Sequence, residues 1–266
     1  MDIKVAVATH KPYAMPEDVM YVPLKVGAAL TGPTLDFATD DVKDNISEKN
    51  DRYCELTGLY FAWKNFDADV IGLVHYRRHF TMKKRSFIKK HDPMKCVLTS
   101  MEASALLEKA DIIVPKKRRY YIESLASHYS HCNDGAGHLQ VARQVVAEKY
   151  PSYGPALDEV YNRSWGYMFN MFIMPRPLLD EYCRWLFTIL EELERRLDIS
   201  ELSAFERRLF GRVSEILFNA WILVKEQEGV SVVEVPFFST EKVHWLKKGS
   251  AFLKAKFFGK SYGESF

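Results

Sequence analysis

Apolar residues along this chain recur with two different periods. Val70 to Val74 (VIGLV) is an unbroken apolar run. It is bounded by Asp67 and Asp69 on one side and by His75-Tyr76-Arg77-Arg78-His79 on the other. A short run of this kind fits a strand covered on both faces. Ile3–Ala8, Asp111–Val114 (closed by Pro115), Tyr167–Met174 and Val230–Val235 read as further strands. Between them the spacing shifts to that of helices. Tyr53, Leu56, Leu59, Tyr60 and Trp63 share one face over Asp51–Asn65, with Asn50 as a candidate cap. Two longer amphipathic segments, Pro177–Leu197 and Ala204–Glu228, follow late in the chain. Thr99 and Glu102 have capping-box spacing for a short helix ending near Ala110. Residues 120–150 read as helical with a break at Asn133-Asp134-Gly135. Residues 9–50 and 81–95 read as irregular. Strands alternating with helices predict an α/β domain with a mainly parallel sheet and long C-terminal helices.

Composition narrows the class of function. At 266 residues the chain can form one large domain. A net charge of +2 gives no global electrostatic case for nucleic acid. Cys54, Cys96, Cys132 and Cys183 form neither a CxxC pair nor a zinc spacing, so free thiols in a reducing compartment are expected. MDIKVAVATHK reads as a strand rather than a signal peptide, and no apolar run reaches the roughly 20 residues needed to span a bilayer. A cytoplasmic protein is the expectation. GxGxxG and GxxxxGK[ST] are absent, which disfavours a dinucleotide dehydrogenase and a P-loop nucleotidase.

The chemistry concentrates at strand ends. His75, Tyr76, Arg77, Arg78 and His79 follow the central apolar run, where ligands collect in open α/β sheets. Arginine donates paired hydrogen bonds to phosphate or carboxylate. On a regular strand Arg77 and Arg78 would project to opposite sides. A second basic cluster, Lys116 to Arg119, follows the strand closed by Pro115, and His10 and Lys11 follow the first strand.

Four runs occur in fixed order: DNISEKNDRYCELTGLYFAWKN, IGLVHYRRHF, FNMFIM followed by EYCRWLF, and RRLFGRVSEILFNAW. In these the chain resembles, from about residue 3 to 240, a bacterial family of capsular and exopolysaccharide loci. That family is described as a domain of unknown function and is associated with glycosyltransferases. The resemblance implies a GT-A-like nucleotide-sugar-binding fold and sugar transfer from a nucleoside-diphosphate donor to a glycan or lipid-linked acceptor. A UDP-sugar is the donor it favours, and galactofuranose, linked to some relatives, is the first sugar to try. Where the family pattern has Ser-Glu-Arg-Leu, this chain has Ser214-Glu215-Ile216-Leu217.

An inverting transfer needs a base for the acceptor hydroxyl, positive charge for the departing diphosphate, and a donor held in line. The family position makes Glu215 the first candidate base, and it lies one residue from the apolar face of its helix. Glu55 is the second. Arg77 and Arg78 are the candidates for the diphosphate, with Lys11, Lys116 and Lys117 behind them. His75, His79 and Tyr76 could bind phosphate or sugar hydroxyls. A GT-A-like fold would place the nucleotide near His10. Asp44 and Asn45 lie in the loop before the first helix, where they could meet donor or acceptor, and Asn170 stands alone in an apolar run. Whether Mn²⁺ or Mg²⁺ takes part stays open. Asp40-Asp41 are adjacent rather than spaced, and Asp67 and Asp69 precede their strand and so sit at its wrong end.

The domain is expected to span residues 1–240. Residues 241–266 form a basic tail with six lysines between Lys242 and Lys260, interleaved with Trp245, Phe252, Phe257 and Phe258. Such a segment suits either peripheral contact with an anionic inner-membrane face or packing on its own domain. Two other classes of function remain. One is a non-catalytic protein that binds an anionic ligand or polysaccharide during assembly. The other is a sugar-phosphate hydrolase or phosphotransferase, which needs a nucleophile or metal cluster that the sequence does not offer.

Overall fold

The computed structural model describes residues 1–32, 34–133 and 136–241, with only the backbone of 132, 133 and 136. Beyond Glu241, the basic tail lies outside the described residues. The strands are β1 (Ile3–Thr9), β2 (Tyr21–Lys25), β3 (Ala38–Thr39), β4 (Val70–His75), β5 (Arg78–Phe80), β6 (Ile112–Pro115), β7 (Arg118–Arg119), β8 (Trp165–Gly166), β9 (Phe172–Pro175), β10 (Val232–Val235) and β11 (Phe237–Ser239). The helices are α1 (Ala28–Thr31), α2 (Asn50–Tyr53), α3 (Leu56–Asn65), α4 (Arg85–Ile88), α5 (Ser100–Leu107), α6 (Leu125–Asn133), α7 (Ala136–Lys149), α8 (Gly154–Asn162), α9 (Arg176–Arg196) and α10 (Leu209–Gln227).

The main sheet runs in the order β10-β6-β9-β4-β1-β2-β3, with β5 and β11 folded against the end of β4. Every neighbouring pair on that path is parallel except those made by β9, which runs antiparallel to β4 and β6. The sheet is therefore mainly parallel, as the alternation of elements predicts. Side chains alternate across it with the strand period of two. Ala6, Ala8, Ile71, Leu73, Ile112, Val114, Phe172 and Met174 pack on one face with α3, α7, α8, α9 and α10. Val5, Val7, Val70, Val74, Ile113 and Ile173 pack on the other face, with Phe80, Leu98 and Ala103. Burial on both faces explains why β4 reads as a continuous apolar run. Gly72 permits the closest approach within it: a Cβ there would stand 2.8 Å from the Phe172 carbonyl oxygen on β9.

The capping box at Thr99 forms, with Glu102 answering on the Thr99 N–H. Four expectations need correction. Residues 9–50 are not wholly irregular, because they supply β2, α1 and β3 at the sheet edge. Short β2 carries Pro23 and Lys25, which hide its pattern. Residues 81–95 hold the single turn α4. The helix expected over Asp51–Asn65 breaks at Cys54, whose backbone stands at φ 54°, ψ −128°. Asn50 holds the break by donating to the Cys54 carbonyl at 2.7 Å and to Thr57 Oγ1 at 2.9 Å. The strand expected over Tyr167–Met174 is likewise broken, since Phe169 and Asn170 have φ of 76° and 49°. Left-handed backbone is uncommon for non-glycine residues, and such strain collects at functional sites.

Candidate functional site

The carboxyl ends of β1, β4 and β6, together with the turn leading into β9, lie along one edge of the sheet. A two-lobed cleft opens there. The first lobe, about 240 Å³, is lined by Glu55, His75, Arg77, Arg78, Arg118, His128, Phe169, Arg208, Arg212 and Glu215. The second, about 270 Å³, is lined by Ala8, His10, Val26, Asn50, Asp51 and Tyr76. Cys54, Glu55, His75, Arg77 and Arg208 border both lobes. Each lobe alone is near the lower limit for a small-molecule site, about 300 Å³, and the pair can take a larger ligand.

The β4–β5 turn explains how both arginines face the cleft. His75 pairs with Arg78 across a tight hairpin, so Tyr76 and Arg77 form its bend. The alternation expected of a straight strand does not apply, and Arg77 and Arg78 both line the first lobe. Burial first, then neighbouring Arg77, lowers the Arg78 pKa to about 10. Its guanidinium lies over the Phe169 ring, 4.3 Å from the centroid. Among the described residues no carboxylate lies within ion-pair distance of Arg78, Arg118 or Arg208. Glu55 and Glu215 share the lobe without pairing directly with these arginines, so the cations outnumber the carboxylates there and favour an incoming anion.

The turn Met168-Phe169-Asn170 holds the acidic side chains. The Phe169 N–H donates to Glu215 Oε1 at 3.0 Å, and His75 Nε2 donates to the Phe169 carbonyl at 2.5 Å. Asn170 Nδ2 donates to Glu55 Oε1 at 2.8 Å and to the Gly211 carbonyl at 3.0 Å. With left-handed backbone at Phe169 and Asn170, this turn reaches four partners, Glu215, His75, Glu55 and Gly211. Glu215 projects from α10 into the cleft, and burial, reinforced by the negative charge of Glu55, raises its pKa to about 7. Such a group can take or give a proton near neutrality. Glu55 stands at the start of α3, just after the strained Cys54. Its carboxylate lies 4.0 Å from His75 Nε2. Burial pushes the Cys54 thiol up to about 11, and its sulfur accepts from Arg208 Nε at 3.2 Å.

The sequence-based candidates divide into those at the cleft and those away from it. Glu215, Glu55, His75, Arg77 and Arg78 meet in the first lobe; His10 and Tyr76 line the second. Lys11 lies beside the second lobe, its ammonium 5.1 Å from the centre of the Tyr76 ring. Asn170 is buried beneath the carboxylates and positions them rather than facing the cleft. Asp44 and Asn45 line neither lobe. Asp44 accepts from Tyr60 at 3.1 Å, and Asn45 closes its own turn by accepting from Ser47 N–H. His79 is fully buried, with Nε2 on the Tyr76 carbonyl, and burial lowers its pKa to about 4. Lys117 pairs with Glu234 at 3.0 Å, and neither it nor Lys116 lines the cleft. Asp40 is buried and accepts from Gly27 N–H, Ala28 N–H, Ser47 and Thr57, a structural role.

Arg118, Arg208, Arg212, His128 and Phe169 complete the cleft without having been singled out. Arg118 belongs to the basic cluster Lys116 to Arg119 that follows β6, and it is the member of that cluster that lines the cleft. Arg208 and Arg212 flank the start of α10 one turn apart, a spacing that was visible in RRLFGR. Among the described residues no group of three or more His, Cys, Asp or Glu side chains is placed to hold a metal ion, and no helix is long and apolar enough to cross a membrane.

Comparison with known proteins agrees with this architecture. Residues 4–227 match the family model described as "Domain of unknown function (DUF4422)", and the chain belongs to that family. No curated protein matches it. A solved structure, the apo form of the bifunctional glycosyltransferase WbbM, matches with a TM-score of 0.81 and 31% identity, over 91% of this chain. This chain spans 46% of that protein's length. The fold is GT-A-like: a mainly parallel sheet, helices on its faces, and a cleft at the carboxyl ends of its strands.

Proposed function

We infer that this protein is a glycosyltransferase that moves a sugar from a nucleoside-diphosphate donor to a glycan or lipid-linked acceptor of a surface polysaccharide. The observation that carries this reading is the meeting of Arg77, Arg78, Arg118 and Arg208 with a carboxylate of pKa about 7 in one cleft. WbbM, named as a glycosyltransferase, shares the fold. A UDP-sugar is the donor favoured by the family resemblance, with galactofuranose the first sugar to test.

In this reading the nucleoside lies in the second lobe, by His10 and Asp51, and the diphosphate bridges to the first lobe along Arg77 and Arg208. The sugar and the acceptor hydroxyl meet at Glu215. The acceptor oxygen bonds to the anomeric carbon as the bond from that carbon to the phosphate oxygen breaks. The electron pair leaves with the nucleoside diphosphate, whose growing charge the guanidiniums offset. The hydroxyl proton passes to Glu215, and direct displacement inverts the anomeric centre. Glu55, held by Asn170, presents its carboxyl group beside the developing positive charge of the sugar ring.

Calorimetric titration of UDP, GDP and CMP, with and without Mn²⁺, into wild type and Arg78→Ala tests the donor site. Selective UDP binding weakened in the variant supports the reading, and the effect of Mn²⁺ measures any metal contribution. Glu215→Gln should keep UDP affinity and lose sugar transfer. A cleft that takes none of the three nucleotides under either condition would instead make this a non-catalytic binding protein.

A further inference from the structure

At the rim of the cleft a carboxylate of the chain itself, Glu241, already pairs with Arg77. β11 pairs with β5 in a register that sets Ser239 opposite Arg78, which carries the next two residues past the β4–β5 bend. The Thr240 N–H donates to the Arg77 carbonyl at 3.0 Å, and Tyr13 and Thr240 share a hydroxyl hydrogen bond of 2.6 Å. Glu241 is thereby placed with one carboxylate oxygen 3.0 Å from Arg77 Nη1 and the other 3.4 Å from Lys11 Nζ. Both cations sit against the ring of Tyr76, at 5.1 and 5.9 Å from its centre. An anion bridging a guanidinium and an ammonium above an aromatic floor has the geometry that a phosphate group would adopt there.

We propose that Arg77 and Lys11 form a phosphate subsite which Glu241 fills in the free protein and yields to a phosphate of the bound nucleotide. The proposal rests on the reading of the cleft as a nucleoside-diphosphate site. Glu241 then acts as an internal competitor. It keeps Arg77, which borders both lobes, extended toward the site and partly neutralised until a ligand with more negative charge arrives. Arg78, Arg118 and Arg208 have no such partner among the described residues, so the exchange is confined to the rim near β1. Each ion pair is partly exposed, which keeps the contact weak enough to be displaced.

The test is calorimetry of UDP, inorganic pyrophosphate and uridine with wild type, Glu241→Gln, and Glu241→Gln combined with Arg77→Ala. Thermal melting first confirms that each variant is folded. Removing the competing charge should tighten UDP and pyrophosphate about fivefold. Uridine, which has no phosphate, should show no change, and adding Arg77→Ala should cancel the gain. If UDP binds wild type and Glu241→Gln equally, the placeholder role is wrong while the donor site stands. A gain that survives Arg77→Ala would also overturn it, by locating the effect elsewhere. If no protein binds UDP or pyrophosphate, the proposal and the reading of the cleft fall together.

Discussion

Asn170 Nδ2 donates a hydrogen bond of 2.8 Å to Glu55 Oε1, which makes a buried amide the support of a cleft carboxylate. Asn170 Nδ2 also donates to the Gly211 carbonyl at 3.0 Å, and these two acceptors orient the amide with its NH₂ group toward Glu55. An amide NH₂ only donates, so it meets an acceptor oxygen of Glu55. Glu215, one residue beyond Ser214, has its pKa raised to about 7. Glu215 is thus suited to exchange a proton near neutrality, while Asn170 fixes the position of Glu55 beside it.

Asn170→Asp should therefore disable the site more than its small change in shape suggests. The new carboxylate has no proton to donate to Glu55 and adds a like charge beside it. We expect transfer to fall by about 100-fold or more and its pH optimum to rise, because added negative charge raises the Glu215 pKa further. Asn170→Gly keeps the left-handed backbone without strain but loses the donor. It should fold, with a loss of about 1–3 kcal/mol from the unpaired buried groups. Steady-state kinetics across pH together with urea unfolding separates the two effects. Wild-type turnover in Asn170→Asp would rule out the positioning role.

Glu215 should also leave a mark on stability. Its carboxyl pKa rises from an unfolded value near 4.5 to about 7 in the folded protein, so the folded state binds more protons between those limits. Stability is highest below about pH 4.5 on this account and falls as pH rises toward 7. Glu215→Gln has no such dependence. At pH 8 it should be more stable than wild type by on the order of 2 kcal/mol, allowing for the side of the carboxylate that faces water, and the gain should disappear near pH 4.5. Urea midpoints measured from pH 4.5 to 8 would show this. A constant difference across that range would mean that Glu215 does not titrate as assigned. A stabilising change that abolishes transfer is the trade-off expected of an active-site carboxylate.

The fold was readable because its signals are periodic. Val70–Val74, Asp111–Val114 and the stripes of α9 and α10 announce themselves over several residues, and the parallel sheet follows from their alternation. The cleft depends on non-periodic backbone. Cys54, Phe169 and Asn170 each leave the ordinary region of φ/ψ space, and apolar spacing carries no trace of that. The nearest hint was Asn170, since asparagine tolerates left-handed backbone better than its neighbours do. The bend that turns Arg77 and Arg78 to one side is hidden for a similar reason: Tyr76–Arg77 holds neither glycine nor proline to mark a turn. Arg118 is distant in sequence from Arg208 and Arg212, and only packing brings it to them. The mainly parallel α/β sheet was thus legible from the pattern, the GT-A-like fold and Glu215 were implied by the family resemblance, and the apparatus holding the carboxylates was not visible.

Gly72 lies at the centre of β4 and supports the site from below. A Cβ there would meet the Phe172 carbonyl and Ile173 Cγ1, both at 2.8 Å, and the carbonyl belongs to paired backbone that cannot move aside freely. Gly72→Ala should cost about 1–3 kcal/mol through overpacking. It should also push β9 away from β4, displacing the turn that holds Glu55, His75 and Glu215. A fall in both melting temperature and transfer rate is the expected result. Unchanged melting would mean that the β4–β9 spacing is looser than the contact distances imply.

His79 gives a prediction of opposite pH sign to that of Glu215. It is fully buried on β5, its Nε2 lies 3.2 Å from the Tyr76 carbonyl, and its Nδ1 has no partner among the described residues. Burial lowers its pKa from 6.5 to about 4, so between those values the unfolded chain binds the proton more readily than the folded one. Stability from this group is complete above pH 6.5 and is lost as pH falls toward 4, by up to about 3 kcal/mol. His79→Leu removes the titrating ring and the unpaired nitrogen while keeping an apolar side chain between Tyr21 and Phe238, which flank the imidazole. Its unfolding free energy should decline less steeply than wild type between pH 6.5 and 4. Because His79 does not line the cleft, UDP affinity at pH 7.5 should be preserved. Parallel acid limbs in the two proteins would assign the acid sensitivity to other groups, and lost UDP affinity would show that the β4–β5 hairpin transmits the change to Arg77 and Arg78.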